Sequence, residues 1–432
     1  MKRFARFITI SVCVLGIYHL MGGNSFSMEL VFKDTQYSFQ TLRALTYAVD
    51  GGADVGEVLN TAYRIKEGDD ESWYREWMKT AVQREKAGHD FLARGRRISA
   101  RQEFFKASNY FRTAEFFLHT NPKDPRIVTV SRKSRESFVK AAKMAEHPII
   151  PIEIPFEGTT LPGYLCLVDK SGPKRPLLIV HSGFDGTAEE IYFGAAHFAV
   201  KRGYNVLLFE GPGQGRVIRE QGLPFRPDWE TVVTPVVDYA LTRKEVDPKK
   251  IALMGISFGG YLAPRAVAFE KRIKACIANG GVYDFHMTAR LTPEEEKDLD
   301  TPKGAEEIDK ALYDKMKADP SFRWAMANGM FTFHAQSPSE WLKMTRPYTM
   351  KDVAEKITCP MLIVDSEEDK DMPGQATKLY DALKSQKHFI MFTKEEGAEE
   401  HCQMGALLIS NARILDWLDD IMMKGKAGRS KR

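Results

Sequence analysis

The chain has 432 residues, of which 43% are hydrophobic, so it is long enough to form more than one packed unit. Its formal net charge of +4 comes from 62 basic and 58 acidic residues, and part of the basic excess lies at the two ends of the chain. The domain bodies are therefore close to neutral. This balance argues against a nucleic-acid partner, which would need basic residues gathered on one face or element.

Residues 1–27 have the pattern of a secretory signal peptide. Three basic residues precede an apolar run over 7–21, and small or polar residues follow it. A membrane-spanning helix would need about 20 apolar residues, so we expect cleavage and export to the periplasm or the medium. Two alternatives stay open: an uncleaved N-terminal membrane anchor, and a cytoplasmic protein whose true start is Met28.

The region from about residue 39 to 145 has a helical pattern and almost no strand signals. Aromatic side chains recur at three- and four-residue intervals within 71–94 and 100–120, a spacing typical of buried helix faces. Two prolines within 121–125 separate these helices from a further one. We predict an all-helical domain over residues 28–148, in front of the catalytic unit.

From residue 149 onwards, strand and helix signals alternate. Residues 149–156 and 160–168 predict an antiparallel pair of strands, and the later alternation predicts a mainly parallel sheet with helices on both faces. The later predicted strands are 176–181, 204–209, 251–256, 273–279, 361–364 and 388–393.

A long segment, about 285–356, delays the strand at 361 and is predicted to be a cap or lid insertion. The catalytic domain is predicted to span 149–425, and residues 426–432 form a basic tail.

The segment Gly255-Ile256-Ser257-Phe258-Gly259 has the G-x-S-x-G pattern of a nucleophile elbow. In such an elbow a strand reverses sharply into a helix, and the glycines make room for a strained central serine. The free N–H groups at the start of the helix stabilise negative charge on a substrate oxygen. We predict that Ser257 is a nucleophile; the alternative is a glycine-rich turn that happens to contain serine.

A nucleophilic serine needs a base and an orienting acid, and in this fold the chain order is Ser, acid, His. His401 follows the last predicted strand and is the predicted base, although it could also be a surface histidine in an acidic loop. Several carboxylates follow strand 361–364. Asp369 is favoured because a hydrophobic residue and a proline come soon after it, with Asp371 and Asp365 as alternatives. Cys402, next to His401, is expected to be a packing residue.

The oxyanion of the reaction intermediate needs two N–H donors aimed at one point. The Phe258 backbone is the first predicted donor. The second is expected from the loop 181–186, with Phe184 as first choice and Gly183 next, unless this loop is only a tight connection. The glycine-rich loop 210–215 lacks the Lys-Ser/Thr pair of a phosphate-binding loop, so we predict a turn that shapes the pocket wall.

The elbow, the loop 209–215, Cys359-Pro360 and the segment 396–402 together resemble one group of α/β-hydrolases. These proteins carry an N-terminal helical domain and include relatives of 2,6-dihydroxypseudooxynicotine hydrolase and the fungal polyketide-shortening hydrolases, often labelled dipeptidyl-aminopeptidase-like or acylaminoacyl-peptidase-like. The resemblance implies a triad of Ser257, Asp369 and His401, cleavage of C–C or ester bonds, and a substrate held between the helical domain and the hydrolase core.

The sequence departs from the pyridine-type C–C hydrolase at one informative place. That enzyme has an additional acidic residue after the strand that follows the elbow, whereas residues 281–288 of this chain contain no Glu. Asp284 could take its place, or it could cap a helix. The resemblance therefore does not imply C–C hydrolysis of that substrate.

These observations predict a carboxylesterase-like serine hydrolase that cleaves an ester or related acyl compound and needs no metal or organic cofactor. The alternatives are a C–C hydrolase of β-diketones or polyketide side chains, an acylaminoacyl or dipeptidyl peptidase, and a non-catalytic binding protein on the same fold. The expected partner is a small acyl substrate, and homodimer formation and a membrane tether stay open. The candidate substrate contacts are Asp284, Trp324, Phe331, Phe333 and His334.

Overall fold

The computed structural model describes residues 29–422. The predicted signal peptide and the basic tail therefore lie outside the described residues. Within this range, no helix combines the length and the apolar character that crossing a lipid bilayer requires.

The N-terminal part of the described chain is a helical layer built around aromatic side chains. Trp73 packs edge-on against Phe117, and its indole N–H donates to the carbonyl of Thr113 at 2.7 Å. Such rings contribute large buried areas, and the buried indole has its hydrogen-bond partner. The helices are α1 (Thr35–Thr46), α2 (Val55–Ala62), α3 (Asp70–Ala93), α4 (Arg97–Glu115) and α5 (Arg126–Ala142), with 3₁₀ turns at Tyr47–Asp50 and Phe116–Thr120.

An 8-stranded sheet follows the helical layer. Its strands are β1 (Ile149–Phe156), β2 (Thr159–Cys166), β3 (Arg175–His181), β4 (Asn205–Phe209), β5 (Val246–Ile256), β6 (Ala275–Asn279), β7 (Met361–Ser366) and β8 (Lys387–Phe392). The spatial order is β1-β2-β4-β3-β5-β6-β7-β8. β2 pairs antiparallel with both of its neighbours, and the remaining pairs are parallel. The predicted α/β-hydrolase architecture is thus present.

Helices cover both faces of the sheet. The helices after β3 are α6 (Ala188–Ile191), α7 (His197–Lys201), α8 (Glu230–Thr242), α9 (Gly259–Val267), α10 (Pro293–Leu299), α11 (Pro302–Ala318), α12 (Pro320–Phe333), α13 (Pro338–Thr345), α14 (Gln375–Ala382) and α15 (Leu407–Met422). Leu177 and Leu253 face a core shared with α8, α9 and α14. Their neighbours Leu178 and Met254 face the opposite core, with α6, α7 and α15. This alternation follows from the pleat of the strands.

The segment predicted to be a cap insertion lies between β6 and β7 and consists mainly of α10 to α13. Each of these helices begins with a capping side chain that accepts a backbone N–H, followed by a proline in the first turn; the capping residues are Thr292, Thr301, Asp319 and Ser337. Trp324 of α12 stacks on Phe116 of the helical layer at 4.2 Å. The insertion therefore rests on the helical domain as well as on the sheet.

Two predicted helices differ from the observed ones. The helix expected over 189–202 is interrupted by a π-helical turn at Tyr192–Ala196. The closing helix, expected from about residue 403, begins at Leu407, because Cys402 and Gln403 have φ angles of 52° and 56°. A right-handed helix does not continue through such residues.

Candidate active site

Ser257 occupies a strained turn between β5 and α9. Its φ angle is 63°, in the left-handed region that a non-glycine residue seldom adopts. The turn is held by hydrogen bonds from the Ser257 N–H to Asn279 O at 2.8 Å and from the Gly260 N–H to Ser257 O at 2.6 Å. A Cβ at Gly255 would lie 2.0 Å from the carbonyl oxygen of Gly259. The elbow therefore needs glycine where its backbone segments approach each other.

The side chains of Ser257, His401 and Asp369 form a hydrogen-bonded chain. His401 Nε2 lies 2.9 Å from Ser257 Oγ, and His401 Nδ1 lies 2.6 Å from Asp369 Oδ2. The three residues follow β5, β8 and β7, so the sheet topology brings them to one edge although 144 residues separate Ser257 and His401 in sequence. This geometry permits proton transfer from the serine to the imidazole.

The competing carboxylates occupy different positions around His401. Asp371 Oδ2 lies 3.9 Å from His401 Nδ1, and its side chain is 62% exposed, whereas the Asp369 side chain is 3% exposed. The Asp369 carboxylate also accepts the backbone N–H groups of Asp371 and Met372 at 3.0 and 3.2 Å. Asp365 accepts the N–H of Ser366, and burial raises its pKa to about 6. Asp369 is thus the carboxylate in hydrogen-bond contact with the imidazole.

The charges of His401 and Asp369 support each other. Burial opposes a charged imidazole, but the Asp369 carboxylate outweighs this effect and raises the pKa of His401 well above its usual value. Burial alone would raise the pKa of Asp369, but the positive charge and hydrogen bond of His401 bring it below its usual value. The carboxylate therefore stays ionised. In the neutral imidazole it favours the tautomer with the proton on Nδ1, in which Nε2 faces Ser257 as an acceptor.

The loop after β3 packs directly against the elbow. A Cβ at Gly183 would lie 2.4 Å from the backbone nitrogen of Phe258 and 2.7 Å from the carbonyl oxygen of Ile256. Within residues 29–422, the backbone N–H groups of Phe258 and Phe184 donate to no protein acceptor. Both N–H groups therefore stay available for a ligand, as an oxyanion site requires.

Gly183→Ala is expected to lower kcat about 10²- to 10³-fold, the usual cost of losing an oxyanion donor. The added methyl group must displace either the loop or the elbow at Phe258. Steady-state kinetics of Gly183→Ala, of a control variant and of the wild type measure this fall in kcat. The control is Gly56→Ala in α2, where a Cβ meets no atom within 4 Å. That change should leave kcat unaltered. Equal kcat values for Gly183→Ala and the wild type would contradict an oxyanion role for this loop.

A buried cluster of ion pairs ties the same loop to the helical domain. Arg43 of α1 contacts Asp185 at 2.8 Å and Glu190 at 2.5 Å, and Arg112 of α4 contacts the same two carboxylates at 3.4 and 3.3 Å. None of the four side chains is more than 13% exposed. Burial alone would raise the pKa of Asp185, but the two arginines keep it below its usual value. A charged carboxylate beside the reaction centre is thus neutralised.

Comparisons with known proteins agree with this fold. The model of the prolyl oligopeptidase family matches residues 195–424, and that of FrsA-like esterases matches residues 43–295. The chain is an α/β-hydrolase of this type. It is 33% identical over 412 residues to the hydrolase LUC6 of a Fusarium species, covering 91% of this chain and 98% of the relative.

Two further proteins are similar to this chain over most of its length. The 20-hydroxy-prefusarin hydrolase FUS2 of Gibberella moniliformis is 33% identical over 410 residues, covering 91% of this α/β-hydrolase and 98% of the relative. The crystal structure of 2,6-dihydroxy-pseudo-oxynicotine hydrolase has a TM-score of 0.70, with 23% identity, 88% of this chain and 97% of that chain covered. That structure shares the fold of the helical domain and the sheet together.

The helical domain of this α/β-hydrolase contributes apolar side chains next to His401. The ring of Phe39 lies 6.4 Å from the His401 ring, and Leu42 packs in one cluster with Cys402 and Met404. Sequence analysis missed Phe39 and Leu42, because no motif marks an apolar residue of a distant helix. The Cys402 thiol, expected to pack, lies 3.4 Å from His401 Nε2 and is buried.

The aromatic residues named as substrate contacts lie mostly in packed surroundings. Trp324 is 6% exposed and donates its indole N–H to Phe116 O, and Phe333 is fully buried among other rings. Phe331 lies against His119 at 4.8 Å, and His334 is exposed at the end of α12. The Asp284 carboxylate accepts the N–H of Met287 at 3.0 Å, so it caps a turn.

One group of side chains in the described part of the chain has ligand atoms close enough to hold a metal ion. It comprises Asp369, Asp371 and His401, whose ligand atoms lie within 4.8 Å of one another. Asp369 and His401 are already joined to each other and to Ser257. Their proximity is therefore accounted for by the serine–histidine–aspartate arrangement.

Proposed function

We propose that this protein is a serine hydrolase that cleaves a carboxylic ester or a related acyl compound through an acyl-enzyme. The observation that carries the proposal is the hydrogen-bonded chain of Ser257, His401 and Asp369, with Ser257 on a strained elbow. The matches to esterase and peptidase families support hydrolysis of a carbonyl compound.

The geometry supports the following sequence of steps. Ser257 Oγ attacks the substrate carbonyl carbon while His401 Nε2 takes the hydroxyl proton, and the carbonyl oxygen becomes an oxyanion facing the N–H groups of Phe258 and of Phe184 or Gly183. Collapse of this intermediate expels the alcohol, which receives the proton from His401. Water then attacks the acyl-enzyme with His401 again as base, releasing the carboxylic acid and restoring the serine.

The surroundings of Asp284 favour an acyl substrate over a carbon–carbon bond. A helper acid for C–C cleavage would have to present a free carboxyl group to the substrate. Asp284 instead holds the N–H of Met287, and its own N–H donates to Gln375 Oε1 at 2.9 Å. One oxygen of the carboxyl group considered for that task is therefore engaged in capping a turn.

A panel of p-nitrophenyl esters, anilides and acyl ketones tests the proposal. We expect the wild type to hydrolyse the esters fastest and His401→Ala to be slower by about 10³-fold or more, because the serine then lacks its base. His388→Ala, which changes an exposed histidine of β8, is the matched control and should keep wild-type rates. If the wild type cleaves acyl ketones but not esters, the three residues would serve C–C cleavage instead. If it cleaves none of the compounds, a non-catalytic binding protein would be favoured.

A further inference from the structure

The oxyanion loop is held through its carbonyl oxygens by two buried side-chain amides. Gln214 Nε2 donates to Ser182 O at 2.5 Å and to Gly183 O at 3.3 Å, and Asn328 Nδ2 donates to Phe184 O at 3.1 Å. Three consecutive peptide units of one loop thus have their carbonyl groups fixed from outside the loop. Gln214 is 2% exposed and Asn328 is fully buried.

Fixing a carbonyl also fixes the direction of an N–H group. A trans peptide unit is planar, so its N–H points opposite to its carbonyl. The carbonyl of Gly183 shares a unit with the N–H of Phe184, and the carbonyl of Ser182 shares one with the N–H of Gly183. Gln214 therefore orients both candidate oxyanion donors, and Asn328 orients the unit that follows them.

Both amides are themselves held in place. The Gln214 Oε1 atom accepts the N–H of Gly211 at 3.0 Å, within the glycine-rich loop after β4. The Asn328 Oδ1 atom lies 2.7 Å from Nδ1 of His119, whose Nε2 lies 2.8 Å from the Glu115 carboxylate. Arg219 pairs with Glu115 at 2.7 Å, with both side chains 4% exposed. The network joins the cap insertion, the helical domain and the hydrolase core at the oxyanion loop.

We infer that Gln214 is a positioning residue that sets the direction of the oxyanion N–H groups. Asn328 fixes the peptide unit that follows them, and so couples the cap insertion to this site. The inference rests on the proposed serine hydrolase function. It assigns a task to the glycine-rich loop after β4 and to α12 beyond shaping the pocket. Side chains that hold a catalytic group in its productive direction act on the transition state more than on substrate binding.

Gln214→Glu and Asn328→Asp test the inference, because each keeps the side-chain shape but removes the N–H donor. We expect kcat to fall about 10²-fold in Gln214→Glu, which loses the bonds that orient the oxyanion donors, and about 10-fold in Asn328→Asp, which loses the bond to the next peptide unit. KM should change little in either variant. The matched control is Asn109→Asp in the helical domain. Asn109 is a buried amide that donates to the carbonyls of Ala44 and Gly52 and, within the described chain, makes no hydrogen bond to the oxyanion loop.

A trifluoromethyl ketone inhibitor separates positioning from a general loss of structure. Its serine adduct carries an oxyanion, so its inhibition constant should rise in each variant by the same factor as KM/kcat. Asn109→Asp should change the thermal unfolding midpoint without this parallel loss. If Gln214→Glu and Asn328→Asp match Asn109→Asp in kcat and inhibitor affinity, the inference is wrong while the serine hydrolase function stands. If the wild type neither hydrolyses esters nor binds the ketone, both the positioning inference and the proposed serine hydrolase function are wrong.

Discussion

Ser257→Ala is expected to lower kcat by about 10⁶-fold and to abolish covalent labelling by a fluorophosphonate probe. In the proposed mechanism the Oγ atom is the attacking group. Alanine leaves His401 Nε2, 2.9 Å from that atom in the native protein, with no hydroxyl to activate. Intact-protein mass spectrometry after probe treatment and steady-state ester hydrolysis measure the two effects. The wild type should gain one probe adduct per chain.

Ser171→Ala is a suitable control for this experiment. Ser171 is an exposed serine in the loop before β3, with its hydroxyl bonded to Asp169. The control should be labelled and should turn over esters like the wild type. Labelling of Ser257→Ala at the wild-type rate would show that another residue is the nucleophile, and the proposed mechanism would have to be abandoned.

Asp369→Asn should lower kcat about 10⁴-fold while leaving the fold intact. The native carboxylate accepts the Nδ1 proton at 2.6 Å, whereas an amide that presents its N–H₂ to Nδ1 favours the tautomer with the proton on Nε2. In that tautomer the imidazole cannot accept the serine proton. Circular dichroism and thermal unfolding would show that the loss of rate is not a loss of structure.

Asp371→Asn is the matched control, because it makes the same chemical change two residues away. Its carboxylate is 3.9 Å from Nδ1 and 62% exposed, so water screens its charge. We expect kcat to change by no more than a few-fold. A larger loss in Asp371→Asn than in Asp369→Asn, measured at the pH of maximal rate, would make Asp371 the triad acid.

Sequence analysis could predict the features that short local sequence patterns determine. The elbow around Ser257 depends on glycines within two residues of it, and His401 could be placed because it follows the last strand of an ordered fold. The mainly parallel sheet with helices on both faces followed from the alternation of strand and helix signals. In each case neighbouring residues determine the geometry, so one stretch of chain contains the whole signal.

The features that sequence analysis missed depend on contacts between distant segments. Arg43 and Glu190 are 147 residues apart, and Asn328 and Phe184 are 144 apart. No local pattern around either partner indicates the contact. The choice among Asp365, Asp369 and Asp371 needed distances, because all three follow one strand within a few residues. The π-helical turn at Tyr192–Ala196 likewise left no recognisable pattern.

The ion pairs between the helical domain and the oxyanion loop affect whether the hydrolase core can be separated from that domain. Removing the helices would leave Asp185 and Glu190 without the guanidinium groups of Arg43 and Arg112, and two buried like charges would then lie beside the reaction centre. The hydrolase core therefore depends on two arginines of the helical domain to balance its buried acidic pair. A chimaera that exchanges helical domains between relatives must carry both arginines with the incoming domain, or redesign the acidic pair that receives them.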